Sequence, residues 1–407
     1  MSIKMQQSSL AEITWEQKQD AFTEAEDVIE RTLLPDLPNI PTHALILSGV
    51  RRCGKSTLLR QFVRKQFQDI FYLNFEDIRL YGFDIKDFVL LDKVIDESGL
   101  KVLYFDEIQI IEGWELYIRQ KLDQNFQVIV TGSNATSLSV ELGTKLTGRH
   151  ITKELFPFSF AEYLDFHHAQ ANPETLLAYL NEGGFPGFLK QKLPEILEFL
   201  IEDILNRDII VRYGVKDPGS IKKLCSYMLA NNGTLVVPSR LTSAIGVKSG
   251  STVLSYFSYF ENSYLVSLVP KFDWSHKAQM LSPKKMYVID PGLVQIGSTS
   301  FSRNLGHLLE SVVFWHWRRK TKEVYYFNEK DKECDFVVRQ KDQTTQVIQV
   351  CWELTLENEE REVSGLLAAM EYFKTDNGII VTAASSDTIR TDVGFISVIP
   401  AHQYLLT

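Results

Sequence analysis

The sequence predicts an α/β protein: a parallel-sheet core, then a helical segment, a helix-turn-helix-like module and a second α/β domain. Three observations predict this. From 44 to about 156, short apolar runs alternate with longer helix-patterned stretches. A glycine-rich stretch, Gly49–Ser56, joins the first apolar run to the first helix of that core. After 301 a long helical pattern gives way to apolar strands near 323–327, 334–339 and 346–352, then a helix at 359–374 and a strand at 378–382. The core strands are Ala44–Leu47, Ile70–Asn74, Val102–Phe105, Val128–Thr131 and Ile151–Leu155. Continuous apolar runs of this length suit strands covered on both faces, and intervening helices imply parallel pairing.

The remaining boundaries follow from punctuation. Residues 11–34 carry the pattern of an acidic amphipathic helix, and Pro35, Pro38 and Pro41 then form a linker that no helix can cross. The expected domains are 1–42 (helix and linker), 43–156 (core), 157–216 (helical lid, interrupted by Gly183-Gly184-Phe185-Pro186-Gly187), 217–270 (winged-helix-like module), 271–300 (linker) and 301–407 (second α/β domain).

Composition narrows the class. The chain has 407 residues, 44% hydrophobic and 23% charged, enough for several folded cores. A net charge of -9 argues against general coating of nucleic acid and leaves room for a local basic patch. No run of 18 apolar residues exists, so no membrane span is expected. The N-terminal residues lack an apolar signal core. The four cysteines, Cys53, Cys225, Cys334 and Cys351, form neither a CxxC pair nor a zinc spacing. A cytoplasmic protein with reduced thiols is the expectation.

The chemistry is densest at Gly49-Val50-Arg51-Arg52-Cys53-Gly54-Lys55-Ser56, which fits G-x-x-x-x-G-K-[ST] between a strand and a helix that begins near Thr57. Glycines let successive backbone N–H groups turn toward phosphates, and the helix N-terminus adds its positive end. Gly49, Arg52, Cys53, Gly54, Lys55, Ser56 and Thr57 are the expected binders of ATP, with Lys55 reaching the β- and γ-phosphates and Ser56 ligating Mg²⁺. The run Val102–Phe105 ends in Asp106-Glu107. Asp106 is expected to complete the Mg²⁺ shell and Glu107 to polarise the attacking water.

Two further positions are open to two readings each. Asn134, after the strand ending at Thr131, reads as a turn asparagine or as a sensor of the γ-phosphate. Arg149, after the Thr147-Gly148 turn, reads as a surface ion pair or as an arginine that neutralises transition-state charge from a neighbouring subunit.

Ser48–Leu58, Tyr72–Asp77, Phe105–Gln109, Thr131–Ala135, Leu146–Arg149, Leu155–Phe160, Gly183–Pro186 and Arg207–Ile209 together resemble the AAA+ ATPases fused to a C-terminal domain of unknown function. The resemblance runs along nearly the whole chain. It implies Asn134 as sensor, Arg149 as arginine finger and Asn74 as a switch residue near Glu107.

In the middle module, Ser239–Ile245, the turn Gly246–Lys248 and Ser251–Phe260 have helix-turn-helix spacing, with Tyr264–Val269 as a wing strand. The second helix has no Arg, Lys, Asn or Gln to read a base edge, so backbone contact with DNA or RNA, or a packing role, is expected instead of sequence readout. In the last domain, a helix bearing Glu310 and strands bearing Asp335 and Gln349-Val350-Cys351 resemble a restriction-endonuclease-like fold. Gln and Cys stand where that resemblance implies a glutamate and a lysine, which favours a degenerate, binding-only domain.

The expected function is an ATP-driven switch or remodeller, able to form a homo-oligomer and to act on an unknown protein client. The alternatives are an ATP-gated, metal-dependent nuclease and an ATP-binding scaffold with little turnover.

Overall fold

The computed structural model describes residues 6–22, 29–133, 148–297, 304–330 and 332–407. They fall into two compact units, Met1–Leu155 and Phe156–Thr407.

The first unit is built on strands β1 (Ala44–Gly49), β2 (Phe71–Asn74), β3 (Val102–Asp106), β4 (Gln127–Gly132) and β5 (His150–Leu155). All pair in parallel, in the order β2-β3-β4-β1-β5. Helices α1 (Gln7–Phe22), α2 (Lys55–Gln66), α3 (Phe88–Ser98) and α4 (Trp114–Asp123) accompany the sheet. Every residue of β1 is buried, as its unbroken apolar run requires. Aromatic rings fill one face: Phe88 stacks on Tyr117 at 3.9 Å between centroids, and Phe105 meets Phe71 and Phe75 edge-on.

The register brings the functional ends of the strands to one edge. Ser48 lies beside Gly132, Asn74 beside Asp106, and Phe105 beside Val130. Gly49 is pressed against β5: a Cβ there would stand 2.1 Å from the Leu155 carbonyl oxygen, so only glycine fits.

The first helix is shorter than its sequence pattern. Its described span is Gln7–Phe22, and residues 29–33, within the expected helix, are not helical. Its Gln17 side chain explains part of its placement. The amide oxygen accepts the Asn74 N–H at 2.7 Å and its nitrogen donates to the Asn74 carbonyl at 3.1 Å. One side chain thus satisfies both backbone groups at the exposed end of edge strand β2.

The second unit opens with helices at Phe160–His167, Pro173–Glu182, Pro186–Gln191 and Glu195–Asp203, the last running on as a π-helix through Ile204–Val211. The Gly183-Gly184 pair is a packing device. Gly184 N–H donates to Asp290 at 2.6 Å, and a Cβ on Gly183 would meet the same carboxylate at 2.0 Å. Helices at Pro218–Ala230, Pro238–Ile245 and Gly250–Asn262 follow, with a small antiparallel sheet of β6 (Thr234–Val236), β7 (Val266–Pro270) and β8 (Lys284–Val288) in the order β6-β8-β7.

The middle strand of that sheet, β8, comes from the stretch 271–300 that reads as a linker in sequence. Two adjacent lysines, Lys284 and Lys285, hide it by breaking the apolar run. The structure buries Lys285 among carboxylates, so the strand is internal despite its charge. The helix Pro291–Gly297 lies in the same stretch.

The final sheet has the order β13-β14-β12-β11-β10-β9, with β9 (Val324–Glu329), β10 (Lys332–Arg339), β11 (Thr345–Val350), β12 (Asn377–Thr382), β13 (Asp387–Arg390) and β14 (Phe395–Pro400). The helix Glu359–Phe373 crosses β10 so closely that a Cβ on Gly365 would stand 2.0 Å from the Glu333 carbonyl oxygen.

Candidate nucleotide site

Between β1 and α2 the chain passes through two left-handed residues, Arg52 (φ 61°) and Gly54 (φ 99°). Alternation of this kind turns neighbouring N–H groups toward one concavity, the geometry of an anion nest. No side chain caps the N-terminus of α2, so its first amides face the same space.

Lys55, the first residue of α2, is buried and arches over the loop. Its Nζ donates to the carbonyls of Gly49 and Val50, both at 3.1 Å, and lies 4.0 Å from Glu107. These are bonds that a phosphate oxygen could replace at little cost. Ser56, next in the helix, donates its hydroxyl to Asp106 Oδ1 at 3.2 Å. Asp106 is buried at the end of β3, and its other oxygen accepts the Tyr72 hydroxyl at 3.2 Å. Burial first, and then the Asp106 charge, push the Tyr72 hydroxyl well above its ordinary pKa, so it stays a donor. Ser56 and Asp106 form a hard-oxygen pair of the kind a divalent cation takes.

Glu107 follows in a left-handed conformation, φ 54°, unusual for a residue with a side chain. Such a conformation costs of order 1 kcal/mol or more and turns the carboxylate toward Lys55 and away from the strand direction. Gln109 donates to it from the following 3₁₀ turn. Burial pushes the Glu107 carboxyl up, while nearby Lys55 pulls it down.

The other expected binders divide by what their side chains do. Cys53 contributes backbone only: its thiol is buried, contacts the Leu155 carbonyl at 3.4 Å, and is pushed up in pKa by burial. Arg52 is exposed at the loop apex. The Thr57 hydroxyl accepts from Arg60 at 3.4 Å. Asn74 sits beside Asp106 in register, and its side-chain oxygen accepts the Glu76 N–H at 2.9 Å. Asn134 lies outside the described residues.

Arg149 is not part of this cluster. Its carbonyl accepts the N–H of Ala44, the first residue of β1, and its guanidinium pairs with Asp123 at 2.6 Å. It therefore stands at the opposite edge of the sheet from Gly49, about 17 Å away at the usual strand rise.

Sequence reasoning missed two members of the site. Thr131, at the end of β4, donates its hydroxyl to Asp106 and accepts the Glu107 N–H at 3.0 Å. Arg31, in the proline-flanked segment, is buried and donates to the Cys53 carbonyl at 2.8 Å. Thr131 was findable, as the polar residue closing an apolar strand; nothing in the spacing marks Arg31.

In the second unit the structure does bring Glu310, Asp335, Gln349 and Cys351 to one cavity of about 680 Å³. Gln349 accepts the Asp335 N–H at 3.2 Å and donates to Glu362 at 2.6 Å. Burial pushes the Cys351 thiol up to about 12, so it is neutral. The cation in the cavity comes from elsewhere: Lys285, on β8, in the stretch that reads as a linker in sequence.

An anion nest, a lysine over it and paired acids behind it are the parts of a P-loop site, and residues 41–164 match the AAA domain family model, which supports an ATPase core of the AAA+ type. The chain belongs to the same family as the uncharacterized protein MJ1544 of Methanocaldococcus jannaschii, with 32% identity over 93% of this chain and 91% of that protein. An uncharacterized protein of Haemophilus influenzae is similar at 31% identity, over 89% of this chain and 94% of its own length. Residues 173–299 match a domain of unknown function, DUF8612. Among solved structures, that of Drosophila ORC bound to AT-rich DNA and Cdc6 matches at 14% identity over 71% of this chain and 93% of that one. Its TM-score of 0.20 is too low to bear on fold or partners. Among the described residues no helix is long and apolar enough to cross a membrane.

Proposed function

We propose that this protein is an ATP-hydrolysing switch whose nucleotide state acts on the modules of the second unit. In this reading Gly49, Arg52, Cys53, Gly54, Lys55, Ser56 and Thr57 bind the phosphates of ATP, Ser56 and Asp106 hold Mg²⁺, and Glu107 positions the attacking water. The single observation that carries it is the pairing across one loop of Ser56 with Asp106 at 3.2 Å and of Lys55 with Glu107 at 4.0 Å. A cation and a base both face the anion nest, which is what phosphoryl transfer to water requires.

When bound, Mg²⁺ would neutralise charge between the terminal phosphates. The rest is this chain's own work. Lys55 gives up its two carbonyl partners to hold phosphate oxygens. Tyr72 and Thr131 keep Asp106 oriented. Glu107, with its carboxyl raised by burial, accepts a proton from water more readily than an exposed carboxylate. Asn134 is proposed to contact the γ-phosphate or the water, and Arg149 to act on the site of a neighbouring copy.

The order helix, strand, helix, helix, strand, then a short helix His276–Leu281 and a last strand, with β8 central, supports a winged-helix-like module at 217–288. Contact with a DNA or RNA backbone is the function proposed for it, since the helix Gly250–Asn262 has no Arg, Lys or Gln and its last residue, Asn262, donates to the Tyr213 hydroxyl at 3.0 Å.

The test is ATP turnover and binding in three proteins. The parent should release phosphate. Lys55→Ala should lose ATP binding in calorimetry. Glu107→Gln should bind ATP normally and hydrolyse it at least ~10²-fold more slowly. Unchanged affinity in Lys55→Ala, or a near-parental rate in Glu107→Gln, would overturn the assignment.

A further inference from the structure

The nuclease-like layout of the last domain implies a divalent cation between Glu310 and Asp335. The residues present do not fit one, because the position is taken. Lys285, reaching in from β8, places its Nζ 3.0 Å from Glu310 Oε1, 2.8 Å from Asp335 Oδ1 and 2.7 Å from Glu333 Oε1. An ammonium has three protons, and here each has its own carboxylate.

Further donors hold the same carboxylates. Tyr287 donates to Glu310 at 2.6 Å, and the Val350 N–H donates to the second oxygen of Asp335 at 2.9 Å. Lys285, Glu310 and Asp335 are all buried. Among the described residues no group of three or more His, Cys, Asp or Glu side chains is arranged to hold a metal ion. A divalent ion needs oxygens drawn in to about 2.0–2.6 Å around a single centre. Here that centre is occupied by a nitrogen, fixed to a strand that is hydrogen-bonded on both sides.

We propose that Lys285 is a resident cation that takes the place of a divalent metal in the C-terminal cavity, closing the acidic cluster to metal and tying β8 to the last sheet. The lysine absent at position 351 is thus not replaced as a helper of metal chemistry. The ammonium of Lys285 stands where the metal would be. Removing it leaves carboxylates facing one another without a counter-charge, and such a cluster should recruit the cation it lacks.

The experiment titrates Mn²⁺ alone, without nucleotide, into the full chain carrying Asp106→Asn, which removes the acid of the nucleotide site from the readout. Free Mn²⁺ is followed by its paramagnetic resonance signal. The chain with Lys285 intact should take up no Mn²⁺ that a further Asp335→Asn change abolishes. Lys285→Ala should bind Mn²⁺ at least 10-fold more tightly, with one site lost again on Asp335→Asn. Should Lys285→Ala not fold, Lys285→Gln keeps one donor to the cluster and is read the same way. Mn²⁺ should also raise the melting temperature of the Lys285 variants and leave the parent unchanged. Asp335-dependent Mn²⁺ binding with Lys285 in place overturns the proposal, whatever the variants do. So does a folded Lys285 variant that binds no more tightly than the parent.

Discussion

The carbonyl of Arg149 accepts the backbone N–H of Ala44 at 3.1 Å, which fixes this arginine at the amino-terminal edge of a sheet whose carboxyl-terminal edge carries the phosphate loop. From there Arg149 cannot reach the site of its own chain. Its partner within the chain is Asp123, in an ion pair with both side chains partly exposed. Such pairs contribute about 0–1 kcal/mol and exchange readily for a better partner.

That geometry predicts complementation. Arg149→Ala should bind ATP and fail to hydrolyse it. Mixing it with Lys55→Ala should restore part of the activity, because a mixed interface joins an intact loop to an intact arginine. Phosphate release measured across mixing ratios decides the matter. No rescue at any ratio, or a chain that stays monomeric with saturating ATP in a size measurement, would remove Arg149 from the mechanism.

Thr131 is bonded to both acids of the site, through the Asp106 carboxylate and the Glu107 N–H. Thr131→Val keeps the shape and removes both bonds. Groups that orient a metal-holding carboxylate typically contribute about 10–100-fold in activity. The expected result is a fall in kcat on that scale with ATP affinity changed by less than about threefold. A parental kcat, or a loss confined to affinity, would show that Asp106 and Glu107 need no such support.

His316 gives the second unit a pH dependence. Burial, then the neighbouring Lys320 and Arg319, hold its pKa down to about 3, against 6.5 in an unfolded chain. The unfolded state therefore takes up a proton below pH 6.5 that the folded state refuses until about pH 3. Stability is lost as pH falls through this window, by about 2 kcal/mol at pH 5. His316→Gln should flatten that slope. Denaturant unfolding at pH 5 and pH 7.5, followed by the fluorescence of the adjacent Trp315 and Trp317, measures it. An unchanged slope would place the acid sensitivity elsewhere.

The five core strands, the phosphate loop and the acidic pair were legible because each is local. An apolar run, a glycine spacing and two carboxylates at a strand end carry their meaning within a few residues. The same holds for the two helices Pro238–Ile245 and Gly250–Asn262 and for the strands carrying Asp335 and Gln349.

What tertiary structure decided involves distant partners or charge hidden by pairing. Arg31 falls in the stretch with the amphipathic-helix pattern, and only the fold brings Cys53, 22 positions away, to give its guanidinium a buried acceptor. Arg149 has the same local sequence whether it serves its own loop or a neighbour's; parallel register with Ala44 removes the first option. Lys285 is the sharpest case. A lysine in a short run argues against an internal strand, because burying an unpaired ammonium is prohibitive. Glu310, Glu333 and Asp335, lying 25 to 50 residues further along, remove that penalty. No local pattern contains them, so only the folded chain could show that β8 is a strand and that the C-terminal acids already have their cation.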